Sequence, residues 1–228
     1  MRSLILNGAG LAASAVFVFS VIAGAGKLHQ RGVSDASTAR KLIHIALAQW
    51  WLIAVSMFDD PWVASAGPAC SLLAASLMPG LALLPAKDGA GHVRDRGTIC
   101  YSAALLILVN LSWRGLIPVR AAAAGVLVMG WGDGIAGLVG MRWGGKGVNI
   151  WGRRKTAAGT AAMFLSSFIV CLIVTELWNP RGAGFAWAVG TSLATAGVAT
   201  ALELLTPLGI DNLTISLGTS LFYAGVFA

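Results

Sequence analysis

The sequence predicts an all-α bundle of seven or eight membrane-spanning helices. Three observations predict it. Of the 228 residues, 57% are hydrophobic and only 11% charged, against roughly 25% charged in an ordinary soluble domain. Apolar stretches recur along the whole chain, most near the ~20 residues a helix needs to cross a bilayer. Those stretches are rich in Gly, Ala and Ser, which let helix backbones approach where no hydrophobic force joins the helices. The mean hydropathy of +0.79 argues against a water-soluble globule or a disordered tail. The formal net charge of +7 rests on 16 Lys and Arg spread through an apolar chain. Such charges set topology and meet anionic lipid heads, so no nucleic-acid partner is expected.

The apolar runs lie at 4–26, 42–58, 62–84, 98–113, 116–141, 157–178, 184–205 and 213–228, each bounded by charge, Pro or Gly. The first follows Met1-Arg2-Ser3 and is long enough to span, so it reads as a first helix and not a cleaved leader. The third is interrupted by Pro68 and Pro79, and with the fourth it decides between seven and eight spans. No repeat, linker or low-complexity tail appears, so residues 1–228 read as one membrane-embedded domain. Cys70, Cys100 and Cys171 sit in apolar runs without metal or disulfide spacing and read as small hydrophobes.

Loop charge sets the orientation. With eight spans, one side carries Lys27, Arg31, Arg40, Lys41, Lys87, Arg94, Arg96, Arg142, Lys146, Arg153, Arg154 and Lys155. The other carries Arg2, Arg114, Arg120 and Arg181. The positive-inside rule then puts the first set in the cytoplasm and both termini outside, as in a bacterial-type inner membrane.

Four polar clusters fall on that cytoplasmic side. The first is Arg40-Lys41-Leu42-Ile43-His44, at the entry to the second span. The second is Gly130-Trp131-Gly132-Asp133-Gly134-Ile135-Ala136-Gly137. A carboxylate at bilayer centre costs roughly 2.5–3.5 kcal/mol on insertion scales, so Asp133 needs a partner, a metal or a function. The third runs from Arg142 to Thr160. It ends in Lys155-Thr156-Ala157-Ala158-Gly159-Thr160, a basic helix start able to bind anions through free N–H groups and the macrodipole. The fourth holds Glu203, Asp211 and Asn212 around the last loop. Its Asn212-Leu213-Thr214 sequon is expected in the cytoplasm and so unglycosylated.

Two motif matches fail on context. Gly132-x-Gly134-x-x-Gly137 lacks the strand and βαβ unit of a dinucleotide fingerprint. Gly140-x-x-x-x-Gly145-Lys146 has Gly147 where a P-loop needs Ser or Thr. What remains is an inventory that suits phosphoryl transfer: carboxylates for magnesium, cations and N–H groups for phosphate oxygens.

These residues resemble the membrane CTP-dependent lipid-alcohol kinases, which include phytol, farnesol, dolichol and CTP-dependent diacylglycerol kinases and are similar to phosphatidate cytidylyltransferases. The matching segments are Arg40-Lys41-x-x-His44, Gly132-Asp133-Gly134-x-Ala136 with Gly140, Lys155-Thr156-x-x-Gly159-Thr160-x-Ala162-Met163-Phe164, and Asp211-Asn212-Leu213-Thr214-Ile215. Gly137 stands where that family commonly has a second acidic residue, Met141 where an arginine is common and Ser216 where a proline is.

The resemblance implies CTP as phosphoryl donor, Mg²⁺, and an isoprenoid or glyceride alcohol drawn from the membrane lipids. On this reading Asp133, Lys155 and His44 are catalytic. Lys41, Arg153, Arg154, Lys155, Gly159, Thr160, Gly132 and Gly134 hold the nucleotide. Asp133, Glu203, Asp211 and Asn212 hold the metal. The rival readings are a cytidylyltransferase using the same triphosphate site and a transporter with Asp133 and Glu203 as a relay. A transporter should show inverted repeats, and none is visible.

Overall fold

The computed structural model describes residues 1–77, 91–151, 153–178, 182, 184–207 and 209–227, and the side chains within these except those of 91–95, 153 and 227. The fold is an all-α membrane bundle. The helices are α1 (Arg2–Gln30), α2 (Ala36–Ala48), α3 (Trp50–Met57), α4 (Pro61–Leu77), α5 (Gly91–Trp113), α6 (Val119–Leu127), α7 (Gly134–Trp143), α8 (Ala157–Leu177), α9 (Phe185–Leu205) and α10 (Asp211–Phe227). A π-helical turn, Val128–Asp133, joins α6 to α7. Five stretches are long and apolar enough to cross a membrane on length and composition: α1, Arg96–Trp113 of α5, the continuous Val119–Trp143, α8 and α9.

Each expected span meets a helix. The second is broken at Gln49 into α2 and α3, and begins at Ala36, six residues before the apolar run. There Asp35 caps α2, its carboxylate accepting from Thr38 N at 2.7 Å. That bond holds the Asp35 carboxyl below the usual carboxylate range. Polar residues 36–41 are therefore helical, which carries Lys41 and His44 on a fixed face. Asp60 caps α4 by accepting from Trp62 N and Val63 N at 2.8 and 3.0 Å, with Pro61 at the first helical position. Pro68 lies buried inside α4, as membrane helices tolerate when neighbours surround them. Pro79 and the end of the third expected span lie outside the described residues.

The helices run back and forth. Ser71 meets Ser102 and Asn110 meets Ser65, so α4 and α5 are antiparallel. The carboxylate of Asp59, after α3, accepts from Ser3 and Asn7 of α1. Trp113 at the end of α5 donates to Phe58 O at 3.1 Å. At that same face Tyr223, near the end of α10, shares a 2.8 Å hydrogen bond with Thr175. The start of α1 and the end of α10 thus lie toward one face.

The central strut is α6 with its π turn and α7. Every residue from Ala121 to Gly130 is buried. Its glycines make contact possible: a Cβ on Gly125 would strike Ser216 O and Ser220 of α10, and one on Gly130 would strike Ala48 of α2. This is small-residue packing in place of a hydrophobic driving force.

One element was not expected. The basic loop after α7 folds as an antiparallel hairpin, β1 (Gly147–Ile150) with β2 (Arg153–Thr156), in the register Gly147–Thr156 to Ile150–Arg153. Trp151 begins its turn at a left-handed φ of 52°.

Candidate functional site

The face opposite the termini gathers the starts of α2, α5, α8 and α10 and the ends of α7 and α9. On α2, Lys41 and His44 are three apart and so share a face. Both point at Asp133, the last residue of the π turn. Lys41 Nζ donates to Asp133 Oδ2 at 2.6 Å and to Asp133 O at 3.3 Å. His44 Nε2 lies 3.7 Å from the same Oδ2 and 3.1 Å from Met129 O. A carbonyl only accepts, so Nε2 carries a proton toward Met129 and neutral His44 has Nδ1 as its free acceptor. The π turn matters here. Its wider i→i+5 pattern shifts backbone groups out of the regular ladder, a feature frequent at functional sites, and His44 pairs with a carbonyl inside it.

Gly137 completes this cluster by absence. A Cβ there would come 2.5 Å from Lys41 Cε and 3.1 Å from Nζ. Where the resemblance leads one to expect a second acid, this chain has a glycine, and the lysine arm lies across it to reach Asp133.

A second lysine–carboxylate pair joins β2 to α9. Lys155 Nζ donates to Glu203 Oε1 and, at 2.8 Å, to Glu203 O. Strand alternation explains why Lys155 and Arg154 part company. Lys155 turns inward to α9, while exposed Arg154 turns the other way and donates to Gly145 O. The expected basic helix start is therefore split between two faces of a hairpin. The Arg153 side chain lies outside the described residues.

The helix start itself is self-capped. Thr156 Oγ1 accepts from Gly159 N at 3.1 Å, so the Gly159 N–H expected to meet phosphate is already taken. Gly159 serves packing as well: a Cβ there would meet Ala136 O at 3.1 Å and Gly140 Cα at 3.5 Å. Thr160 is half-buried one residue further on. Gly132 and Gly134, expected to leave room for a ligand, face protein. Met163 and Ser167 fill the space beside Gly132 and Ile45 that beside Gly134.

Asp211 and Asn212 are both buried at the start of α10. Asn212 N donates to Asp211 Oδ1 at 3.1 Å, and Asn212 Nδ2 donates to Gly97 O of α5 at 2.9 Å. Asp211 lies within electrostatic range of His44 and of Cys100. Two residues of this site escaped the sequence reading. Tyr101, inside an apolar run, sets its ring edge-on to His44 with centroids 5.2 Å apart. Gly97 offers only its backbone, which no pattern reveals.

The four expected metal ligands do not form one cage. Among the described residues no three of His, Cys, Asp and Glu come together as a metal site. Asp133 and Glu203 each hold a lysine. The donors still suit magnesium, which is bound through one or two carboxylates plus substrate phosphates. Asp133 and Asp211 are hard-oxygen donors that both bear on His44. Glu203, held by Lys155, is the poorest fit.

Fold and site together define a polytopic membrane protein with its ionisable side chains concentrated at one face. A phytol kinase from Synechocystis sp. is 35% identical over 220 residues, covering 96% of this chain and 91% of that protein. A probable chloroplastic phytol kinase 2 from Oryza sativa subsp. japonica is 26% identical over 88% of this chain and 70% of its own length. A probable chloroplastic phytol kinase from Triticum aestivum is 26% identical over 89% and 72%. No family model and no solved structure matches the chain. The chain belongs to the phytol kinase family of membrane lipid-alcohol kinases.

Proposed function

We propose that this chain transfers the γ-phosphoryl group of CTP to the hydroxyl of an isoprenoid alcohol of the phytol type, at the cytoplasmic face of a bacterial-type inner membrane. The observation that carries the reading is the Lys41–Asp133–His44 cluster at the π turn, in a chain 35% identical to a phytol kinase. The acceptor oxygen attacks the γ-phosphorus, an O–P ester forms, the bond from phosphorus to the β–γ bridging oxygen breaks, and CDP leaves. The transition state is loose, so positioning and charge neutralisation supply most of the rate. Lys41 is poised to move from Asp133 to a phosphoryl oxygen. His44, through Nδ1, takes the hydroxyl proton, and Asp133 orients the group.

Lys155, held by Glu203, faces the nucleotide, and the hairpin's other cations add field. Asp133 and Asp211, with Asn212 beside them, are the residues that would hold magnesium, which would supply charge neutralisation for the triphosphate. Glu203 belongs to Lys155 and not to the metal.

The test is purified protein in detergent with γ-labelled CTP, against phytol, farnesol, geranylgeraniol, undecaprenol and diacylglycerol, with ATP, GTP and UTP as competing donors. Label is expected in phosphorylated phytol, with CTP preferred. Label found in pyrophosphate would replace the reading by cytidylyl transfer. Orientation is tested separately with cysteines at exposed Val148 and Trp62 on opposite faces. Position 148 should react only with reagent that reaches the cytoplasm.

A further inference from the structure

The first turns of α5 lie against the turn between α9 and α10. Between them is a cleft of about 350 Å³, lined by Arg96, Ile99, Cys100, Pro207, Gly209 and Ile210. Its walls are almost wholly apolar. The volume is within the roughly 300–1,000 Å³ of small-molecule sites. The Asn212 Nδ2 bond to Gly97 O ties the two walls together and fixes their spacing.

The next residue on each wall belongs to the charged cluster. Tyr101 follows Cys100 and packs against His44, 3.7 Å from Asp133. Asp211 follows Ile210 and bears on both His44 and Cys100. Each wall of the cleft is therefore continuous in sequence with a residue of the charged cluster. The Tyr101 hydroxyl is buried and has no hydrogen-bond partner among the described residues. A buried hydroxyl in that state is costly, and the arrival of another hydroxyl relieves it. A polar solute gains nothing from such walls, whereas an alkyl chain does. Arg96 at the rim is exposed, as suits a cation at the lipid–water boundary.

We propose that this cleft binds the hydroxyl-bearing end of the acceptor's isoprenoid chain and directs its oxygen past Tyr101 to His44 and Asp133. The proposal rests on the phosphotransfer reading above and adds the route and the residues of the lipid site. Cys100 is a half-buried reporter in the wall; Cys171 is buried, and exposed Cys70 is removed by Cys70→Ser.

The experiment follows N-ethylmaleimide modification of Cys100 in the full Cys70→Ser chain by mass spectrometry, beside turnover. Phytol at ten times its dissociation constant should slow the modification about tenfold, as occupancy dictates, and CTP alone less than about twofold. Ile99→Trp should raise the KM for phytol by about tenfold or more and leave that for CTP within about twofold, because it fills only the lipid groove. Turnover of phytol with no protection of Cys100 overturns the cleft and leaves the kinase reading intact. Protection without turnover supports the cleft and overturns the kinase reading. Neither protection nor turnover overturns both.

Discussion

The molecule contains the same ion pair twice, and the two copies differ in everything around them. Lys41–Asp133 joins the middle of one helix to a π turn inside another; Lys155–Glu203 joins a hairpin strand to the last turn of a regular helix. The first has His44 at 3.7 Å, Asp211 within range and Gly137 cleared for the lysine arm. Both lysines also reach the backbone of their acid, Lys41 at 3.3 Å and Lys155 at 2.8 Å, so the second is the tighter hold. The Lys41 side chain is 22% exposed against 11% for Lys155. A pair surrounded by other titratable groups on irregular backbone is arranged for exchange of partners. A pair that satisfies a helix end is arranged to stay.

The largest effect expected from that contrast is at Asp133. Asp133→Asn keeps the shape and removes the charge, so turnover should fall by at least about a hundredfold, within the ~10²–10⁴ of a positioned catalytic group. Lys41 keeps a route toward the membrane face, so the melting temperature in detergent should change little. A variant that melts well below the parent and loses activity only in proportion would make the pair structural and erase the contrast.

Lys155 is expected to give the opposite pattern. Lys155→Met strands the Glu203 carboxylate in a buried position, and breaking a buried pair costs about 3–5 kcal/mol. A Lys155→Met, Glu203→Gln double variant should recover most of that melting loss. It should still show a KM for CTP raised about tenfold or more, the effect of losing one charge-assisted bond of roughly 1.5–3 kcal/mol. Full recovery of both stability and nucleotide use in the double variant would confine Lys155 to holding the hairpin on α9.

Gly137 sharpens the comparison from the lysine side. Gly137→Ala places a methyl 2.5 Å from Lys41 Cε, a flexible arm that yields at small cost in stability. The arm cannot then lie where it does, and Nζ shifts from Asp133. Turnover should drop about tenfold, below the ~10²-fold that a full 1 Å misplacement can bring, with melting unchanged. Unaltered turnover would show that the Lys41 position is incidental.

The sequence revealed the bundle well and the site unevenly. The apolar runs became helices because lipid leaves the backbone no other solution, and five of the described stretches are long and apolar enough to cross. The face bearing Lys41, His44, Asp133, Lys155, Glu203, Asp211 and Asn212 was legible from loop parity. Which acid meets which lysine was not. Glu203 and Lys155 are 48 residues apart and carry no pattern linking them. The glycines around Asp133 read as room for a ligand or for a close-packed neighbour, and Gly130, Gly132 and Gly134 admit Ala48, Met163 and Ile45. Close helix packing and close ligand approach demand the same residue, so sequence alone cannot separate them. The hairpin was hidden because Gly147–Thr156 is too short and too charged to show alternation of apolar residues. Its cations are consecutive and alternate only in direction, which in sequence reads as a topological run.

That alternation yields the smallest expected effect. Arg154 is the immediate neighbour of Lys155, yet exposed, with its guanidinium on Gly145 O across the hairpin. Exposed charge interactions are worth about 0.2–1 kcal/mol, so Arg154→Ala should raise the KM for CTP no more than about fivefold. Melting should move by less than about 0.5 kcal/mol in stability, as for surface positions elsewhere. The two adjacent cations then differ by the margin that strand geometry dictates, Lys155 turned to the bundle and Arg154 away from it. A loss for Arg154→Ala equal to that for the Lys155 variant would mean that the hairpin turns over on binding nucleotide and presents both cations to the triphosphate. In that event Lys155–Glu203 would be a resting contact like Lys41–Asp133, and the two pairs would be two halves of one switch.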